Sequence, residues 1–128
     1  MQRQLISSGA PWEASVGYSR AVKVGNLVFV SGTTAVDGSG NVIGRNDAYA
    51  QARYALEKIG KALETAGASF EHVVRTRMFV TDINDWEAVG KAHGEFFNEV
   101  RPAATMVEVS RLIDPELLVE IEVDAVVG

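Results

Sequence analysis

The stretch Arg101–Val127, RPAATMVEVSRLIDPELLVEIEVDAVV, decides how this chain folds. Its last part, LVEIEVDAVV (118–127), alternates strictly. Val119, Ile121, Val123 and Ala125 point one way, and Glu120, Glu122 and Asp124 point the other. A period of two marks an extended strand with one apolar and one charged face. A second strand is expected from Thr105 to Val109, and Asp114-Pro115 makes the turn between the two. Pro102 stops whatever helix precedes it.

Working outward, VVRTRMFVT (73–81) reads as a strand on which Arg75, Arg77 and Phe79 share a face. RAVKVGNLVFVSG (20–32) reads as a hairpin turning at Gly25-Asn26. Leu27 and Phe29 alternate there with Val28 and Val30, so that strand is apolar on both sides and expects burial on both. AVDGSGNVIG (35–44) is a glycine-rich surface connection. Two helical runs lie between the strands. AYAQARYALEKIGKALETAGA (48–68) carries the stripe Ala52, Ala55, Leu56, Ile59, Leu63 and Ala66, with Asn46 or Asp47 as N-cap and Gly67 as stop. The second run starts from a cap at Asn84 and continues to about Val100, with Trp86, Val89, Phe96 and Phe97 on its buried side.

The order is strands, helix, strand, helix, two strands, which predicts an α+β chain with one mixed sheet and both helices on one face. Length predicts a single domain over residues 1–128. Two helices cover only one face of such a sheet. The other face, half apolar and half charged, is expected to pack against further copies of the chain, since monomers rarely expose large apolar patches. A solvated face with scattered hydrophobes is the alternative.

Composition excludes several classes. The 128 residues carry a net charge of −5, which speaks against a nucleic-acid surface. No cysteine is present, so disulfides, thiolate nucleophiles and cysteine-based zinc sites are ruled out. No apolar run is long enough to span a bilayer, and the N-terminal MQRQLISSGAPWEASVG lacks a signal's apolar core. A soluble cytoplasmic protein is expected.

Few motifs carry chemistry. His93-Gly94-Glu95 matches the H-x-E of zinc deaminases, but their cysteine pair cannot exist here. His72 and His93 have no ligand spacing and read as surface or packing residues. Asp37-Gly38-Ser39-Gly40-Asn41 imitates the start of a calcium loop without its closing glutamate, and reads as a turn. Glu120, Glu122 and Asp124 form the best remaining cluster. They are either a salt-bridged face opposite the arginines of the middle strand, or a face on which one carboxylate is desolvated and handles a proton.

GYSRAVKVGNLVFVSG (17–32), VVRTRMFVTDINDWEAV (73–89), RPAATMVEV (101–109) and LVEIEVDAVV (118–127) together resemble the RidA/YjgF family, also labelled L-PSP endoribonuclease. The resemblance runs from Gly17 to Val127. It implies a chorismate-mutase-like fold and a homotrimer whose sheets form a central barrel with small-molecule pockets between subunits. It also implies hydrolysis of reactive enamines and imines to a carbonyl product and ammonia, with no metal or cofactor. The acidic chain and the absence of a paired histidine argue against the ribonuclease label.

Carried over position by position, the family's water-handling glutamate corresponds to Glu120 and its pocket tyrosine to Tyr18. The arginine that binds the substrate carboxylate falls on Ala104, and the helix asparagine falls on Gly90. RPAAT is therefore the family's anion-binding motif without its anion binder, and loss of a bidentate pair in a buried site weakens carboxylate binding by several kcal/mol. Arg20 follows Tyr18 by two and is either a substitute cation or an ordinary surface residue; Arg101 is expected outside the strand. A substrate without a carboxylate, held by backbone N–H groups at Thr105 and Met106, is the third option. Two functions remain: a cofactor-independent deaminase or hydrolase acting on C=N bonds, and a non-catalytic trimer that binds or senses a small molecule.

Overall fold

The structure, a computed structural model, describes residues 2–128. The strands are β1 (Arg3–Ile6), β2 (Ala21–Val24), β3 (Leu27–Thr33), β4 (Val73–Val80), β5 (Ala103–Glu108) and β6 (Val119–Val126), and the main helices are α1 (Ala48–Thr65) and α2 (Trp86–Phe97). They form one sheet in the order β1-β2-β3-β6-β4-β5. Neighbours are antiparallel except β4 and β5, which run parallel and are joined through α2, the crossover that a parallel pair requires.

The alternation of β6 sets the layers. Val119, Ile121, Val123 and Ala125 are buried, while Glu120, Glu122 and Asp124 are half-buried on the other face. On β4 the partners of the apolar set, Thr76, Met78 and Val80, are buried on that same face. Every residue of the predicted stripe on α1 is buried against it, and the alanines let the helix lie close to the strands. His93 of α2 reaches Thr76 on β4, which puts α2 on the same side as α1. Phe70 meets Phe96 and Phe97 edge-on at 5.1 and 5.5 Å and closes the end of this layer.

The β2–β3 turn is the two-residue hairpin expected at Gly25-Asn26. Gly25 takes φ +59° while Asn26 stays out of the left-handed region, the pattern of a II′ rather than a I′ turn. Asp47, not Asn46, caps α1: its carboxylate accepts the Ala50 N–H at 3.0 Å. Gln51 is fully buried on α1, a position the apolar stripe did not include. Its amide donates to Gly44 O and Glu116 O and accepts Leu118 N–H, so it fastens α1 to the residues that lead into β6.

Several expectations need correction. β1 was not anticipated. The second helix begins at Trp86 rather than at Asn84, because Asp82 takes the Asn84 N–H at 2.9 Å and holds Ile83–Asp85 in a 3-10 turn. That start leaves Trp86 56% exposed instead of buried, while Val89 and Phe97 do face the core. The helix stops at Phe97, well before Val100, and Arg101 turns the chain at φ +55° ahead of Pro102, which disfavours a helical predecessor. The strand after it starts at Ala103, two residues early, and ends at Glu108.

The face away from the helices carries Leu27, Phe29, Val107 and Val126, each at least 37% exposed, among the charges of β4 and β6. β5 is an edge strand, and of its residues only Met106 is even half-buried.

Candidate functional site

Glu120, Glu122 and Asp124 share a strand face but not an environment. Arg77 reaches both Glu122 and Asp124, at 3.3 and 3.2 Å, so those two are a salt-bridged pair on the sheet surface. Glu120 takes part in no hydrogen bond or ion pair among the described residues. It pairs in register with Phe79 and lies over Gly32 of β3, where the ladder between β3 and β6 is bulged. A Cβ on Gly32 would coincide with the Glu120 carboxylate oxygen, so glycine there makes the room that the carboxylate fills. Burial pushes the Glu120 carboxyl above its ordinary range; Arg20 opposes this and Glu122 adds to it.

Arg20 comes from the residue before β2. Its backbone is fixed on both sides, with its N–H donating to Ile6 O at 2.8 Å and its carbonyl accepting Ser31 N–H at 3.0 Å. The guanidinium donates from Nη2 to Gly32 O at 2.6 Å. It also lies 5.9 Å from the centre of the Tyr18 ring, at the outer limit of a cation–π contact. Arg20 is thus not a solvated surface residue. Burial holds its pKa below the usual range, with Tyr18, Glu13 and Glu120 acting the other way.

Tyr18 follows a π-helical turn, Glu13–Gly17, and donates its N–H back to Glu13 O at 3.0 Å. Glu13 anchors that turn. Its carboxylate accepts the Ser7 hydroxyl at 2.7 Å, the Ser8 hydroxyl at 2.6 Å and the Ser8 N–H at 3.1 Å. Burial works against the charge, but these bonds outweigh it and hold the Glu13 carboxyl below its ordinary range.

The structure therefore brings Tyr18, Arg20 and Glu120 together at the end of the sheet where β3 stops and β6 starts. It does not bring Ala104, Thr105, Met106 or Gly90 to them within one chain. Ala104 pairs with Thr76 on β4, and the residue of β5 level with Glu120 is Val107, two strands across. Gly90 is exposed on α2, in the layer on the opposite side of the sheet, with nothing within 4 Å of where a Cβ would be. Gly32, Glu13 and Gln51 were not read from the sequence. Gly32 and Gln51 act through partners distant along the chain, and Glu13 through Ser7 and Ser8, six and five residues before it.

The other sequence candidates are structural. His93 Nε2 lies 2.9 Å from Thr76 Oγ1, its ring packs 4.7 Å from Phe97, and burial lowers its pKa. His72 Nδ1 accepts the Ser69 N–H at 3.0 Å and caps a 3-10 turn. Asp37 accepts the Ser39 and Asn41 amides, both at 2.9 Å, closing the turn expected there. No group of three or more histidines, aspartates or glutamates converges as metal ligands would among the described residues. No helix is long and apolar enough to cross a membrane.

Fold and geometry together define a small α+β protein with a half-buried, unpaired carboxylate at one end of a mixed sheet. A family model described as Endoribonuclease L-PSP matches residues 8–127, and the chain belongs to that family. It is similar to Rv2704 from Mycobacterium tuberculosis, a member of the YjgF/YER057c/UK114 family, with 51% identity and a TM-score of 0.89 over 98% of this chain and 100% of that one. The YjgF gene product of E. coli matches with 36% identity and a TM-score of 0.82, covering 96% of this chain and 98% of that one. Among characterised relatives, 3-aminoacrylate deaminase RutC of Acinetobacter baylyi is 38% identical over 104 residues, 81% of this chain and 82% of its own.

Proposed function

We propose that this protein hydrolyses the carbon–nitrogen double bond of a small imine or enamine, with Glu120 as the group that moves the proton. One observation carries the reading: of the three carboxylates on β6, Glu120 alone is left unpaired, desolvated and beside a half-buried arginine. A carboxyl raised above its ordinary range takes up a proton more readily than a solvated one and can still give it back. As an acid it protonates the enamine carbon, leaving the iminium ion. As a base it takes a proton from water while the oxygen adds to the imine carbon. Collapse of that adduct breaks the C–N bond, releasing ammonia and leaving the carbonyl product. The relative named as a 3-aminoacrylate deaminase acts on an enamine of this class.

The pocket belongs to an assembly. Ala104, Thr105 and Met106 lie too far from Glu120 in one chain to share a ligand with it, so a second copy's β5 supplies them, and Gly90 frames the cleft from its helix. The exposed apolar residues on the free sheet face fit the same assembly, a homotrimer. Tyr18 closes the pocket, and Arg20 supplies the positive charge that Ala104 lacks.

The test is ammonia release from enzymatically generated 2-aminoacrylate and from 3-aminoacrylate, with light scattering to establish three chains per particle. Glu120→Gln, which keeps the shape, should lower the rate about a hundredfold or more. An unchanged rate in Glu120→Gln rejects this mechanism. Ala104 favours a second reading, a trimer that binds or senses a small molecule without turning it over, since no cation stands at that position. Native protein that binds these compounds without accelerating ammonia release would establish it.

A further inference from the structure

Behind Arg20, on the side of the first helix, lies a second cleft of about 230 Å³, lined among others by Ile6, Ser7, Ser8, Arg20, Lys58 and Lys61. It is smaller than a typical drug-sized pocket, and no carboxylate lines it. Three cations therefore face one small space in a chain whose net charge is −5. The two carboxylates that act on Arg20, Glu13 and Glu120, are outside the lining, and those of Glu13 are already bound by Ser7 and Ser8.

Two features set this apart from a chance run of surface lysines. Lys58 is half-buried and held in place by Thr34 O at 2.9 Å and Val36 O at 2.8 Å, which leaves one of its three N–H groups free. Arg20 Nε is the one buried side-chain polar atom without a partner among the described residues. Buried donors are nearly always satisfied, so a lone orphan beside two further cations points to a missing acceptor. Lys58 also bears the strain of the arrangement: burial and then the nearby Arg20 charge lower its pKa.

We propose that this cleft is a binding site for a small phosphate-class dianion, free or as the phosphate group of a metabolite, held by Arg20, Lys58 and Lys61. Two cations held in place and a third beside them are balanced better by two negative charges than by the single charge of a carboxylate. Arg20 is common to this cleft and to the Tyr18–Glu120 corner, yet the binding proposed here requires no catalysis there.

Lys61 gives a clean test, because it is exposed and its side chain makes no hydrogen bond or ion pair among the described residues. The native protein is titrated with inorganic phosphate at constant ionic strength, followed by calorimetry and by amide NMR shifts. Saturable binding is expected, with the shifts centred on Ser7, Ser8, Arg20 and Lys61. Acetate should bind about tenfold more weakly, a single charge in place of two. Lys61→Glu should weaken phosphate about tenfold or more, whereas Lys91→Glu, the same change of net charge on α2, should not. Phosphate that fails to saturate, or that loses equally in both variants, overturns the site. Acetate binding as tightly as phosphate overturns the dianion assignment.

Discussion

The two ends of the candidate pocket are built differently. At the β2–β3–β6 corner every group is held: Arg20 by Gly32 O, Glu120 by the space over Gly32, and the turn before Tyr18 by Glu13. At the other end β5 is an edge strand, paired on one side only to β4, and its exposed Ala103, Ala104 and Thr105 carry no charge. On the proposed function, a site made this way has a rigid proton-handling half and a blank recognition half. On that reading the chemistry of the first is specified by one chain, while the selectivity of the second depends on what a neighbour and a substrate bring.

The sharpest way to break that contrast is through glycine. Gly32→Ala puts a methyl where the Glu120 carboxylate sits, so the carboxylate must leave its place or the strand must shift. Ammonia release should fall about a hundredfold, as for loss of the general base itself. Gly94→Ala meets open space within α2. It should stabilise the fold by about 0.5–1 kcal/mol in thermal unfolding, from helix propensity, and change the rate little. Equal rate losses in the two variants would show that the corner is not preformed.

Ala104→Arg sharpens the other half. If the blank strand only lacks its charge, the variant should improve turnover of a carboxylate-bearing imine about tenfold, chiefly through KM, given what a close charge pair contributes. A neutral imine should gain nothing. No change with either substrate would mean that a neighbour's β5 does not reach the corner.

The contrast also explains what the sequence could and could not convey. Glu120 was legible because strict alternation in LVEIEVDAVV put it on the charged face. The stripe on α1 was legible because its six residues keep one helical period. Which of three carboxylates is unpaired was not, since Arg77 chooses Glu122 and Asp124 by geometry across strands. Arg20 finds Gly32 O twelve residues away only once the hairpin has closed. RQLI is a four-residue edge strand with three exposed positions and too few alternations to register. Trp86 looked buried because apolar character was counted without knowing that Asp82 moves the helix start.

The smallest expected effect separates two carboxylates that act on the same arginine. Glu120 has a raised pKa and Glu13 a lowered one. Stability rises with pH where the unfolded chain binds more protons, and falls where the folded chain does. Between the ordinary glutamate range and its own raised value, Glu120 keeps its proton in the folded state longer than in the unfolded one. Its contribution is therefore present at low pH and lost as pH rises through the folded pKa. Glu13 runs the other way: its contribution is present above the ordinary range and lost as pH falls through the lowered value. Glu120→Gln should then gain stability on the native protein as pH rises from the glutamate range toward neutrality, while Glu13→Gln should compare worst with it at neutral pH and recover toward acid. Denaturant midpoints measured across that range read both slopes. The Glu120 slope is the weaker observable, because a half-exposed carboxylate is screened by solvent. Parallel slopes for the two variants would mean that Glu120 is an ordinary solvated carboxylate, and the rigid half of the pocket would lose the property that makes it reactive.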